Sequence, residues 1–133
     1  MYYAWQICYA LKDLDITGLY TPNVTSMNCT FKNCQSLRQL DLQHWDVSKV
    51  TTFASMFENC MALKTINLTG WDTSSCTGFS NMFYGCRSVK NIYGLDTFDT
   101  SNATNLSSMF YCCYNISELP IENWNVKKVT TLY

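Results

Sequence analysis

The sequence predicts an α/β solenoid of about five coils, each with one short strand in a parallel sheet, one short helix, and open, uncapped ends to the stack. Three observations predict it. Landmarks at Leu37, Leu40, Leu42, Trp45, Asp46, Thr51, Phe53, Met56, Phe57 and Cys60 return 26 residues later as Leu63, Ile66, Leu68, Trp71, Asp72, Thr77, Phe79, Met82, Phe83 and Cys86. A fixed period in this range marks stacked repeats, because one repeat cannot bury its own apolar face. Second, apolar Leu40 and Leu42 alternate with polar Gln39, Asp41 and Gln43, the period of a strand with one buried face. Third, Phe53, Met56, Phe57 and Cys60 fall at i, i+3, i+4 and i+7, which predicts one face of a short helix. Thr51 stands before it as an N-cap or as one rung of a side-chain ladder.

Taken in order, the chain divides into a partial repeat over 1–10, repeats over 11–36, 37–62, 63–88 and 89–115, and a partial repeat over 116–133, all in one domain. Trp5 stands where Phe31 and Phe57 stand. The first full repeat has Leu19 at the tryptophan position and Tyr20-Thr21-Pro22 at the corner that elsewhere reads Asp46-Val47-Ser48. The fourth has one extra residue between its strand and Phe98, expected as a bulge containing Gly94. At the corners, Asp46, Asp72 and Asp99 suit Asx turns better than a calcium site, because Tyr20 and Asn125 interrupt the column.

Composition excludes several classes of function. With 47% hydrophobic residues the chain can bury a core, and disorder is set aside. Nine basic against ten acidic residues, unclustered, leave no footprint for nucleic acid or an anionic membrane. No apolar run approaches the about 18 residues of a membrane span, so no membrane insertion is expected. No G-x-S-x-G, phosphate-binding glycine loop or H-E-x-x-H occurs, and the expectation is a protein that is not an enzyme and has no cofactor, metal or catalytic residue. Five of eight cysteines, Cys8, Cys34, Cys60, Cys86 and Cys113, share one repeat position. With His44 the lone histidine, a structural ladder of reduced, buried thiols is expected rather than a metal column.

Invariant positions serve stacking, so a partner-binding face is expected where repeats differ, on the outward side of the strands: Asp15, Gln39, Asp41, Gln43, Thr65, Asn67, Thr69, Asn91 and Tyr93. Tyr93 is its one aromatic, a residue type enriched at binding hot spots.

The pattern L-x-x-L-D-L-x-x-W-D-V-S-x-V-T-x-F-x-x-M-F-x-x-C, running from Leu37 to Cys60, resembles the repeat of BspA-like bacterial surface proteins, a branch of the leucine-rich-repeat superfamily. The resemblance covers essentially the whole chain. It implies a leucine-rich-repeat solenoid on a cell-surface or secreted protein that contacts a protein or glycan ligand of a host or neighbouring cell. Self-association through open solenoid ends, or assembly into a larger particle, is the structural alternative.

Overall fold

The computed structural model describes residues 4–133; positions 1–3 of the opening partial repeat lie outside the described residues. Strands β1 (Gln39–Asp41), β2 (Thr65–Asn67) and β3 (Asn91–Tyr93) form one parallel sheet in the order β1-β2-β3. Gln39 pairs with Thr65 and then Asn91, Leu40 with Ile66 and Ile92, Asp41 with Asn67 and Tyr93. A second parallel column joins the repeats by single bridges: Ser26 to Thr52, Thr52 to Gly78, Gly78 to Asn105, and Asn105 to Thr131.

The expected leucine-rich-repeat solenoid of alternating strands and helices needs correction. Among the described residues there is no α-helix: apart from the three short strands and one 3-10 turn at Leu95–Thr97, the backbone is turn and irregular. The reason is where the amides of the predicted helix go. The N–H groups of Phe53, Ser55, Phe57 and Asn59 leave their own repeat and donate to the carbonyls of Gly78, Ser80, Met82 and Tyr84 at 2.9, 2.9, 2.9 and 2.7 Å. The intervening amides close tight turns, Met56 to Phe53, Glu58 to Ser55 and Cys60 to Phe57. Ser55 (φ 56°) and Asn59 (φ 59°) are left-handed, a conformation that cannot continue a right-handed helix. The same pair of left-handed sites recurs at Cys29 and Asn33, at Asn81 and Gly85, and at Ser108 and Cys112.

One smaller expectation is decided in favour of its ladder alternative, and a second changes. With no helix to cap, Thr51 acts across repeats: its hydroxyl donates to the Thr25 carbonyl, and Thr77, Thr104 and Thr130 continue the column at 3.3, 3.1 and 3.2 Å. Gly94 does not bulge the sheet, since the β2–β3 register is unbroken through Tyr93. Instead Gly94, at φ 92°, starts the 3-10 turn, and a Cβ there would come within 2.7 Å of the Leu68 carbonyl and the Thr69 nitrogen. Only glycine fits that approach.

The core is built from equivalent residues of successive repeats. Trp5, Phe31, Phe57, Phe83 and Phe110 stack in one column at centroid spacings of 5.1, 5.7, 5.4 and 5.5 Å. Beside it Phe53 and Phe79 pack against the corner aromatics Trp71 and Phe98. Corner indoles also hydrogen-bond backward: Trp71 Nε1 donates to the Leu42 carbonyl and Trp124 Nε1 to the Leu95 carbonyl, both at 2.9 Å. Trp45 Nε1, by contrast, is buried without a partner.

Phe83 is fully buried in the middle of its column, so Phe83→Ala should cost about 3–5 kcal/mol of unfolding free energy, read from urea titration. Trp71→Phe, which deletes a satisfied indole hydrogen bond, should lose about 1 kcal/mol more than Trp45→Phe, which removes an unpaired N–H. Equal losses for the two tryptophans would contradict the assigned bonding.

Candidate functional site

Strand pleating sets the outward face. In β1, Leu40 is buried while Gln39 and Asp41 are exposed; Ile92 in β3 is likewise flanked by exposed Asn91 and Tyr93. Parallel pairing aligns these outward residues into two rows, Gln39-Thr65-Asn91 and Asp41-Asn67-Tyr93. They border an open groove of about 590 Å³ that Asp15, Gln39, Asp41, Thr65, Asn67 and Tyr93 line together. Six of the nine residues expected on the face thus meet in one depression. Gln43, Thr69 and Asn91 do not line it. Thr17, Leu14 and Leu40 do, and were not expected. Thr17 was legible only through its spacing from Asp15, which repeats that of Gln43 from Asp41 and Thr69 from Asn67.

That spacing is a turn. Asp15 Oδ1 accepts from the Thr17 N–H at 3.1 Å and hydroxyl at 2.8 Å. Asp41 accepts from the Gln43 N–H and side-chain amide at 3.2 and 3.0 Å, and Asn67 Oδ1 from the Thr69 N–H at 3.2 Å. Each is an Asx turn, and those of Asp41 and Asn67 stand at the ends of β1 and β2. The backbone and hydroxyl of Thr17 hold the Asp15 carboxyl below its ordinary range. Thr65 and Tyr93 carry no comparable turn, and Tyr93 is 53% exposed at the rim. The groove therefore offers oriented acceptors beside one free aromatic face. That chemistry suits hydroxyl- or amide-rich surfaces.

The other acidic column is structural by the same test. Asp46, Asp72 and Asp99 accept from the amides of Ser48, Ser74 and Ser101 at 3.1, 3.0 and 2.8 Å. Hydrogen bonds from Ser48 and Ser101 hold the Asp46 and Asp99 carboxyls low. Among the described residues no group of three or more His, Cys, Asp or Glu gathers to hold a metal ion.

The cysteines form a hydrogen-bonded column. Cys34, Cys60, Cys86 and Cys113 are free thiols whose sulfurs donate to the carbonyls of Trp5, Phe31, Phe57 and Phe83 at 2.9, 3.1, 3.1 and 3.1 Å. Each thiol ties its turn to the aromatic of the repeat before. Burial pushes Cys34 and Cys113 up to about 11 and raises Cys60 and Cys86 well above the ordinary thiol range. Cys76, outside the column, is pushed up to about 12 by the same cause. Thiols so raised are poor nucleophiles.

The family described as "Mycoplasma protein of unknown function, DUF285" matches residues 1–94 and again 88–133. No curated protein and no solved structure matches the chain. Among the described residues no helix is long and apolar enough to cross a membrane.

The raised thiols predict a stability profile. In the unfolded chain a thiol titrates near 9, whereas the fold keeps Cys34, Cys76 and Cys113 protonated toward 11 or 12. Their contribution is complete below pH 9 and is lost as pH rises from 9 through those folded values. The melting temperature should therefore fall steadily above pH 9. The lowered carboxyls of Asp15, Asp46 and Asp99 act oppositely, contributing above their unfolded value of 3.8 and failing as pH drops below it. A flat melting curve from pH 7 to pH 11 would contradict the buried thiol column.

Proposed function

The chain belongs to the Mycoplasma DUF285 family, and on that premise we propose that it is a noncatalytic repeat module of a cell-surface or secreted protein, binding protein or glycan partners through its strand face. The observation that carries this reading is the groove in which Asp15, Gln39, Asp41, Thr65, Asn67 and Tyr93 converge. Oriented carboxylate and amide acceptors supply direction, and the exposed ring of Tyr93 supplies contact area at little entropic cost. The finer relationship, to BspA-like surface repeats, is supported by the W-D-V-S-x-V-T and M-F-x-x-C segments that end at Val50-Thr51 and Cys60. Placement at the cell surface rests on that resemblance.

The groove also tells which substitutions separate binding from folding. Asp41 and Asn67 hold their own turns, so changing them confounds the two. Tyr93 and Gln39 are exposed and free of such turns.

Retention of the fluorescently labelled chain on intact cultured animal cells is the direct test. Tyr93→Ala should reduce it at least tenfold and Gln39→Lys severalfold, with both melting temperatures within a degree of the parent. Prior treatment of the cells with protease or with glycosidases assigns the partner class. Undiminished retention by both variants would move the site off the strand face.

A further inference from the structure

Along the sequence the nine basic residues are dispersed, but the repeat brings four of them into one line. Lys12, Arg38, Lys64 and Lys90 follow one another at intervals of 26 residues. Their backbones are bonded in series: the Arg38 N–H donates to the Lys12 carbonyl at 3.2 Å, Lys64 to Arg38 at 2.9 Å and Lys90 to Lys64 at 3.0 Å. Ladder neighbours lie about 4.8 Å apart, so the four side chains leave the surface at even intervals along the axis of the stack. All four residues are exposed.

Nothing within the fold neutralises this line. Among the described residues the one ion pair is Lys32 with Glu58, which meet in another column at 2.9 Å. Lys49 and Lys128 donate to the side chains of Asn23 and Asn102. The cationic groups of the line have neither kind of partner among the described residues. Asp13, next to Lys12, is the one acid within two residues of any of them. Arg38, Lys64 and Lys90 lie between Ser36, Ala62 and Ser88 on one side and Gln39, Thr65 and Asn91 on the other. Like charges set directly opposite on a ladder repel and lower stability, so folding gives no reason to repeat a cation at this position. An anionic chain laid along the line removes the repulsion and gains a contact at every rung.

We propose that the line of Lys12, Arg38, Lys64 and Lys90 binds a linear sulfated polysaccharide, its chain running along the axis of the stack. A single file of charges fits one anionic strand, whereas a bilayer surface is met by a broad basic patch. An extended polysaccharide advances by a similar distance per sugar ring, so sulfates on successive rings fall opposite successive cations. The hydroxyl and amide side chains of Ser36, Ser88, Gln39, Thr65 and Asn91 beside the line suit the sugar hydroxyls. No aromatic residue stands within two positions of any member, so the line lacks the stacking platform that single-stranded nucleic acid uses. The line shares no residue with the strand groove and does not depend on what the groove binds.

Calorimetric titration of the full 133-residue chain with heparin at about 0.15 M salt is the test. The parent should bind, and less tightly as salt rises, because each engaged cation releases counterions. Arg38→Glu/Lys64→Glu should lose about tenfold or more in affinity. Lys49→Glu/Lys127→Glu, the same change of net charge at exposed sites off the line, should lose about twofold at most. Lys64→Gln alone should melt with the parent and bind severalfold more weakly, which separates the line from any fault in folding. Desulfated heparin, a DNA oligonucleotide and phosphatidylserine vesicles should each bind more weakly than heparin. Tyr93→Ala should bind heparin as the parent does, so a failure of the groove shows in cell retention and a failure of the line in this titration. A parent that does not bind heparin, equal losses in the two double variants, a comparison probe that matches heparin, or loss of heparin binding in Tyr93→Ala would each overturn the inference.

Discussion

Everything in this molecule depends on backbone amides that are satisfied only by the neighbouring repeat. In the segment from Phe53 to Asn59, alternate N–H groups point forward out of their own repeat and alternate amides close local turns. A buried amide without a partner costs free energy comparable to a lost hydrogen bond. No single repeat can meet that requirement alone, so stability is shared between neighbours, and the threonine and cysteine columns reinforce the same junctions. The aromatic columns follow from the spacing the ladder imposes: rings held at equal intervals along one axis must stack.

Much of this was legible in the sequence. The 26-residue period identified the core residues and the strands of the three repeats from 37 to 115, and alternation around Leu40 gave its exposed neighbours, but the strands expected in the first full repeat and the last partial one do not form. The failure was the helix. Spacing of Phe53, Met56, Phe57 and Cys60 marks residues that share an inward direction, and a run of tight turns with left-handed residues between them satisfies that spacing as well as a helix does. The discriminating signal was the residue before three of the five column cysteines: Asn33, Asn59 and Gly85 tolerate positive φ, whereas a helix would favour none of them; Ile7 and Cys112, before Cys8 and Cys113, share the conformation without the signature. Ser55 and Ser108 carry no such signature, since serine at positive φ is dictated by the neighbouring repeat and not by local preference.

The groove was only partly legible for a related reason. Outward residues were identified by alternation, but alternation does not say which side chains are already committed. Asp15, Asp41 and Asn67 are engaged in closing their own turns, which leaves Tyr93, Gln39 and Thr65 as the residues whose identity is least constrained by folding. Buried thiols mislead in the opposite sense. A column of cysteines suggests reactivity, yet hydrogen bonding to aromatic carbonyls and loss of solvent make Cys60 and Cys86 inert fasteners.

The glycine between Tyr93 and Leu95 shows where the chain tolerates a change of length. One residue was added there, and the sheet before it and the bridges after it keep their pairing, Gly78 meeting Asn105 and Asn105 meeting Thr131. The corner beyond the strand is thus a phase-neutral splice point, whereas an added residue between Thr51 and Cys60 would throw every forward-pointing amide out of step. A lineage, or an engineer, wishing to enlarge the recognition surface can lengthen that corner, beside the groove, without disturbing the junctions that hold the repeats together.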